Sequence, residues 1–487
     1  MGVFMNIYDK RNISMMMDLY ELTMANGYYL QEKQDRKVVF DVFYRKNPDE
    51  AGFAIFAGLE QIVEYIEGMH FEKEDIAYLR SLHQFDEGFL DYLSDFRFTG
   101  DVYAFEEGTI MYPGEPILTV VAPLVQAQMV ETEILAQVNH QSLIATKAQR
   151  IVRSAKGRAV SDFGARRAHN NDAAIYGARA AYIGGVKGSA TVSAGQYFHI
   201  PLGGTMAHSW IMYYQDELTA FRKFAETYPD NCILLVDTYD VLHQGVKNAI
   251  TVFEEMRAAG ITSKNYGIRI DSGDLAYLTR EARKMLDAAG FSDAKIVISN
   301  SLDEYTIRSI LDQGGQVDSF GVGERLITSR SEPVFGAVYK LAAVEEGQEM
   351  QPRIKVSEAV EKITNPGLKD VYRIYNEEGH AIADLITKEG EDVVMEGGYR
   401  FVDPLEPWKV RRFEHARAKK LQKQVIRHGQ RVESLPKTSD IQAYVRHQLE
   451  HEIWLEEQRF ENPHRHYVDM SPAYYEMKMD MLKEHSK

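Results

Sequence analysis

From about residue 157 onward, short apolar runs alternate with amphipathic segments roughly every 30 residues, and no other feature of the chain restricts its fold as strongly. A strand that returns to its own sheet through a helix runs parallel to its predecessor, so the alternation predicts stacked βα units around a parallel sheet. Strands are expected at 158–163, 188–192, 199–203, 233–236, 267–270, 295–298, 317–321 and 338–344, with helices such as 240–258 and 275–289 between them. Seven or eight such units predict a (β/α)8-like barrel with its chemistry at the carboxyl ends of the strands; a doubly wound open sheet is the alternative.

The flanks read differently. Residues 1–127 predict a small α+β domain, with Leu19, Leu22 and Ala25 on one helical stripe and Gly27 placed to end it. Tyr20 falls off that stripe, either packing with its hydroxyl on water or offering a ring to a flat ligand. A connecting helix is expected over 128–156, the barrel over 157–345, a β-rich return over 346–402 and a charged helical extension over 403–487. His464 and His466 lack metal-ligand spacing for a helix and are expected at the surface.

A net charge of −16 argues against general nucleic-acid binding, so any anionic ligand needs a local cluster of donors. The basic run 409–423 is interleaved with Phe413, Ala416 and Leu421 and reads as a solvated helix face. No stretch is apolar enough to span a membrane, and the first ten residues lack a signal-peptide core, which gives a cytoplasmic expectation. Cys232, the only cysteine, lies in an apolar run, so one chain cannot build a disulfide or a thiolate metal site.

The polar residues collect at the expected strand ends. In order they are Asp162-Phe163-Gly164-Ala165-Arg166-Arg167, Gly203-Gly204-Thr205-Met206-Ala207-His208, Asp237-Thr238-Tyr239-Asp240, Arg269-Ile270-Asp271-Ser272-Gly273-Asp274, Ser299-Asn300-Ser301 and Gly321-Val322-Gly323-Glu324-Arg325. Adjacent glycines at 203 and 204 can adopt positive φ and turn backbone N–H groups toward an anion, with the Thr205 hydroxyl as a further donor. His208 adds a nitrogen able to carry a proton or a phosphoryl group. Arg166, Arg167 and Arg269 supply positive charge, Asp237, Asp271 and Asp274 could hold a divalent cation, and Phe163 is an aromatic wall. Asp240 and Asp274 each precede a helical run and could equally be N-caps. Six such groups ending six apolar strands suit a phosphorylated sugar with a magnesium-bound pyrophosphate.

Several runs, DLYELTMANGY, FDVFYR, SDFGARRAH, GGTMAHSW, LLVDTYD, GIRIDSGDL, ISNSLDE, FGVGERL and VYKL, occur in the order found in the nicotinate phosphoribosyltransferase family, which the chain resembles over roughly 15–375. The resemblance implies an irregular (β/α) barrel of the type II phosphoribosyltransferase kind with an N-terminal α+β domain, and a homodimer with shared active sites. It implies formation of nicotinate mononucleotide and pyrophosphate from nicotinate and phosphoribosyl pyrophosphate, with Mg²⁺ as the metal and ATP as co-substrate through a phosphohistidine. His208 matches the phosphorylated histidine, with Thr205 in the same turn. Tyr20 and Phe163 match the aromatic pair around the base, and Arg269 the arginine facing the nicotinate carboxylate. Asp271 and Asp274 match carboxylates near ribose and metal, and Gly321 and Gly323 match backbone donors to the 5′-phosphate. Arg166, Ser299 and Asn300 complete the expected substrate-binding set. Glu324 stands where some relatives have threonine, and a carboxylate beside a phosphate is unfavourable, so it is left out of the phosphate contacts. The alternatives are the nicotinamide-specific family, whose opening resembles DSYK rather than Asp18-Leu19-Tyr20-Glu21, and a non-catalytic barrel, which would be expected to lose His208, Arg269 or Asp271. Quinolinate phosphoribosyltransferases are far shorter chains.

Overall fold

The computed structural model describes residues 11–359, 362–393, 399–404, 406–413 and 415–485, so the signal-peptide reading of 1–10 falls outside it. Two compact units emerge: residues 144–333 form one, while 1–143 and 334–487 together form the other.

The unit 144–333 contains the βα alternation. Six parallel strands lie in the order Gly188–Ser189, Ala159–Asp162, Ser319–Val322, Lys295–Ser299, Asn265–Ile270, Asn231–Leu235. Strands Asn231–Leu235, Lys295–Ser299 and Ser319–Val322 are mostly buried, as a parallel sheet covered on both faces requires. The count differs from the expected eight for two reasons. Residues 199–203 contribute only an isolated bridge between Leu202 and Ser189, and Val338–Glu346 pairs antiparallel in the other unit. The result is a curled, partial barrel in keeping with the type II phosphoribosyltransferase fold. Its register sets strand ends level: Asp162 lies beside Val322, Ser299 beside Gly321, and Leu235 beside Arg269.

The other unit is built on a seven-stranded antiparallel sheet in which Lys37–Phe43 lies between Leu118–Pro123 and Val338–Glu346. Helix Leu19–Leu30 begins at Asp18 with a capping box closed by Glu21. A second, six-stranded sheet takes its strands from 369–470, and there the expected helical extension is corrected. Among the described residues of 403–485 there are five short strands besides the helices Thr438–His451 and Pro472–His485. The basic run is β-structured, over Val410–Phe413, Arg417–Lys420 and Gln422–Arg427. His466 is buried rather than exposed, stacked on Tyr112 at 3.8 Å between ring centroids and placed beside Glu457 and Asp384. Burial alone would lower its pKa, but the two carboxylates outweigh that and raise it. Arg373 and Asp384, opposite each other on neighbouring strands, form a fully buried bidentate pair with bonds of 2.8 and 2.7 Å.

Candidate active site

The strand ends of the unit 144–333 converge on a continuous hydrogen-bond network. Arg269, one residue before the end of its strand, is its hub. Nε–H donates to Ser299 Oγ at 3.0 Å, while Nη1 donates to Thr205 Oγ1 at 2.9 Å and to the Met206 carbonyl at 3.2 Å. A longer contact of 3.5 Å runs from Nη2 to Asp271 Oδ1, which also accepts a short bond from the Ser299 hydroxyl. Most of the guanidinium fork is thus committed within the protein. A ligand carboxylate seeking two parallel bonds must take the remaining Nη2–H and displace Thr205 or the Met206 carbonyl from Nη1.

Asp237 links this hub to His208. Its Oδ2 accepts from the Asp271 backbone N–H at 3.0 Å and from Ser272 Oγ at 2.6 Å, while its Oδ1 faces His208 Nε2 at 3.2 Å. The Asp237 side chain is 1% exposed and that of His208 is 39% exposed, so the carboxylate is fixed and the imidazole remains accessible. Both oxygens of Asp237 are thus engaged within the protein. As an orienting group it was not anticipated, although an aspartate ending an apolar strand opposite a histidine-bearing loop was a signal for it.

Phe163 forms a second corner. Its ring lies 5.9 Å from the Arg269 guanidinium carbon, and its backbone N–H bonds to the Val322 carbonyl at 2.8 Å. Gly321 permits this position, since a Cβ there would fall 2.3 Å from the ring. Next to it Asp162 is buried, accepting from Gly164 N–H at 2.8 Å and Ser189 Oγ at 2.7 Å; burial raises its pKa even against these donors.

Other expected residues stand apart from the network. Arg166 and Arg167 are exposed on a short turn, and Asn300 and Ser301 follow their strand in left-handed conformations, φ 82° and 52°. Two consecutive non-glycine residues there store strain of about 1–3 kcal/mol each, a cost that clusters at ligand-binding positions. Asp274 caps helix Leu275–Ala288, its Oδ1 accepting from Tyr277 N–H at 3.0 Å, and Asp240 caps its own helix similarly. Gly203 and Gly204 are exposed and without positive φ, so the expected nest is absent in that form. Glu324 turns to Arg330 at 3.3 Å. Tyr20 belongs to the other unit, 43% exposed on helix Leu19–Leu30.

Among the described residues no group of three or more His, Cys, Asp or Glu could hold a metal ion, and no helix is long and apolar enough to cross a membrane. Asp271 and Asp274 nevertheless each have one oxygen, Oδ2, outside any hydrogen bond within the described residues. That suits Mg²⁺, which is typically held by one or two carboxylates and completed by waters and phosphate oxygens.

Three family models match in succession: the nicotinate phosphoribosyltransferase N-terminal domain over residues 15–139, the nicotinate phosphoribosyltransferase family over 158–366 and the corresponding C-terminal domain over 368–478. A Bacillus subtilis nicotinate phosphoribosyltransferase is 44% identical over 474 residues, 97% of this chain and 96% of that protein. One from Caenorhabditis elegans is 32% identical, covering 98% and 94%. Among solved structures, human nicotinic acid phosphoribosyltransferase superposes with a TM-score of 0.84 at 26% identity, covering 96% of this chain and all of that one. The Pyrococcus furiosus nicotinate-nucleotide pyrophosphorylase gives 0.69 at 26% identity, covering 92% and 98%.

Proposed function

The chain belongs to the nicotinate phosphoribosyltransferase family, and from that premise we propose that it joins nicotinate to phosphoribosyl pyrophosphate in NAD salvage, using ATP through phosphorylation of His208. The observation that carries the reading is the unbroken path Thr205–Arg269–Asp271–Asp237–His208, which ties a candidate base-binding arginine to a candidate phosphoryl acceptor.

The nicotinate ring nitrogen attacks the anomeric carbon with its own lone pair, the carbon–oxygen bond to pyrophosphate breaks, and the pyrophosphate leaves with the bonding electrons. No general base is needed. What the protein supplies is alignment and charge. Phe163 and Tyr20 are the candidate stacking partners for the ring, and Arg269, with Thr205, faces its carboxylate. The backbone at Gly321 and Gly323 is the candidate cradle for the 5′-phosphate, with Arg166, Ser299 and Asn300 as further candidate substrate contacts. Bound Mg²⁺ would neutralise charge on the leaving pyrophosphate, with Asp271 and Asp274 as the side chains that would hold it. Asp237 accepting the Nε2–H leaves the His208 lone pair on Nδ1, the nitrogen free to take the γ-phosphoryl group as ADP departs. We further propose a homodimer with shared sites, in which Tyr20 of one subunit serves the network of its partner. We place it in the cytoplasm, with small molecules as its ligands.

The test is production of mononucleotide and pyrophosphate from phosphoribosyl pyrophosphate with nicotinate or nicotinamide, with and without Mg·ATP, for the wild type and His208→Ala. Nicotinate-selective turnover stimulated by ATP only in the wild type is expected. Turnover of nicotinamide would overturn the substrate, and stimulation surviving His208→Ala would overturn the phosphohistidine.

A further inference from the structure

A cavity of about 560 Å³ opens in the unit formed by residues 1–143 and 334–487, at the end of strand Lys37–Phe43 and along helix Pro472–His485. Its size falls within the roughly 300–1,000 Å³ of small-molecule sites. Phe43, Ile386, Met470 and Met479 give it an apolar wall. The charged residues lining it are Arg45, Lys46, Arg465 and Lys478, beside buried His466, against the single carboxylate of Glu50.

Lys478 is its focus. Among the described residues its ammonium makes one hydrogen bond, to Asn365 Oδ1 at 2.7 Å, and no carboxylate pairs with it. The Asn365 amide is fixed in that sense because its Nδ2 donates to the Gly114 carbonyl at 3.2 Å. Burial first, and the nearby Lys369 second, push the Lys478 pKa down to about 8. Lys369 is itself matched by Asp41. A lysine held without a counter-charge in an apolar wall has donors to spare, and an anion entering the cavity would satisfy them.

We propose that this cavity binds a small organic anion with an aromatic or aliphatic body, its acidic group on Lys478 and its body against Phe43, Met470 and Met479. The site shares no residue with the strand-end network, and nothing in the proposed transfer reaction uses it.

8-Anilinonaphthalene-1-sulfonate combines the required charge and apolar surface, and its binding to the full-length protein can be followed by fluorescence and calorimetry. One equivalent per chain is expected, weakened about tenfold or more in Lys478→Met through loss of the charged contact. In Met479→Trp, which fills the cavity, binding is abolished while the circular dichroism spectrum is unchanged. Saturating nicotinate, phosphoribosyl pyrophosphate or inorganic phosphate leaves the probe bound. Absence of saturable binding, or equal binding in wild type and both variants, overturns the site. Displacement by nicotinate or phosphoribosyl pyrophosphate assigns the cavity to the transfer reaction, and displacement by phosphate alone makes it a plain anion site; either overturns the proposal. If the enzyme instead failed to form nicotinate mononucleotide, these binding results would stand unaltered, so the two readings fail separately.

Discussion

Asp237 shows how much can rest on one carboxylate. It holds the Asp271 backbone through Oδ2 and the His208 imidazole through Oδ1, so it sets both the acceptor histidine and the hub beside it. In Asp237→Asn the amide turns a donor toward groups that are themselves donors, the Asp271 N–H and Ser272 hydroxyl on one side or the His208 imidazole on the other. Losing a charge-assisted bond worth about 1.5–3 kcal/mol corresponds to roughly 10- to 100-fold in rate. The expected outcome is a fall of that size in the stimulation of turnover by Mg·ATP, larger than the fall in ATP-independent turnover. Steady-state rates measured with and without ATP decide it; an unchanged stimulation ratio would remove Asp237 from the histidine's chemistry. At this scale the sequence named the participants but not their partners. Arg269, Asp271, Thr205 and His208 were legible as strand-end groups, whereas the sharing of Asp271 Oδ1 between Arg269 and Ser299 depends on the register of adjacent strands. Nothing in the local sequence fixes that register.

Among the elements, the parallel strands were the most legible, because burial on both faces leaves short unbroken apolar runs bounded by polar turns. The run 338–344 has the same apolar character and goes elsewhere: it pairs in an antiparallel sheet beside Lys37–Phe43, and pairing across such a distance leaves no trace in spacing. The C-terminal basic segment was misread for a related reason. Its apolar residues suit a helix stripe, yet strands Lys369–Tyr375 and Asp101–Phe105 offered open edges that Arg417–Lys420 and Gln422–Arg427 complete. Helix starts were more transparent, and Asp274 belongs to this scale as much as to the site, since its Oδ1 caps helix Leu275–Ala288. Asparagine caps a helix as well as aspartate does but cannot hold a cation with a full charge. Asp274→Asn is therefore expected to leave thermal stability within about 0.5 kcal/mol while lowering turnover and raising the Mg²⁺ concentration needed for half-maximal rate. A loss of stability with an unaltered Mg²⁺ dependence would make Asp274 a cap alone.

For the molecule as a whole, the proposed sharing of sites, Tyr20 from one subunit and His208 from the other, is measurable by complementation. Tyr20→Ala and His208→Ala homodimers should each be impaired. After dissociation and mixing in equal amounts, half of the random dimers are mixed and each carries one complete site, so about a quarter of wild-type activity returns. No recovery would mean that each site draws on a single chain. The division of the chain into two units bears on how the protein is made. Strand Lys37–Phe43 pairs on one side with Leu118–Pro123, but its other neighbour, Val338–Glu346, leaves the ribosome about three hundred residues later. At about 5–20 residues per second that interval lasts roughly 15–60 s, during which an apolar strand keeps an unpaired edge while the whole unit 144–333 emerges and folds. Nascent chains stalled within that window should recruit chaperones and aggregate when released without them, and in a circular permutant that begins near residue 334 strand Lys37–Phe43 would emerge with its partner Val338–Glu346 already made.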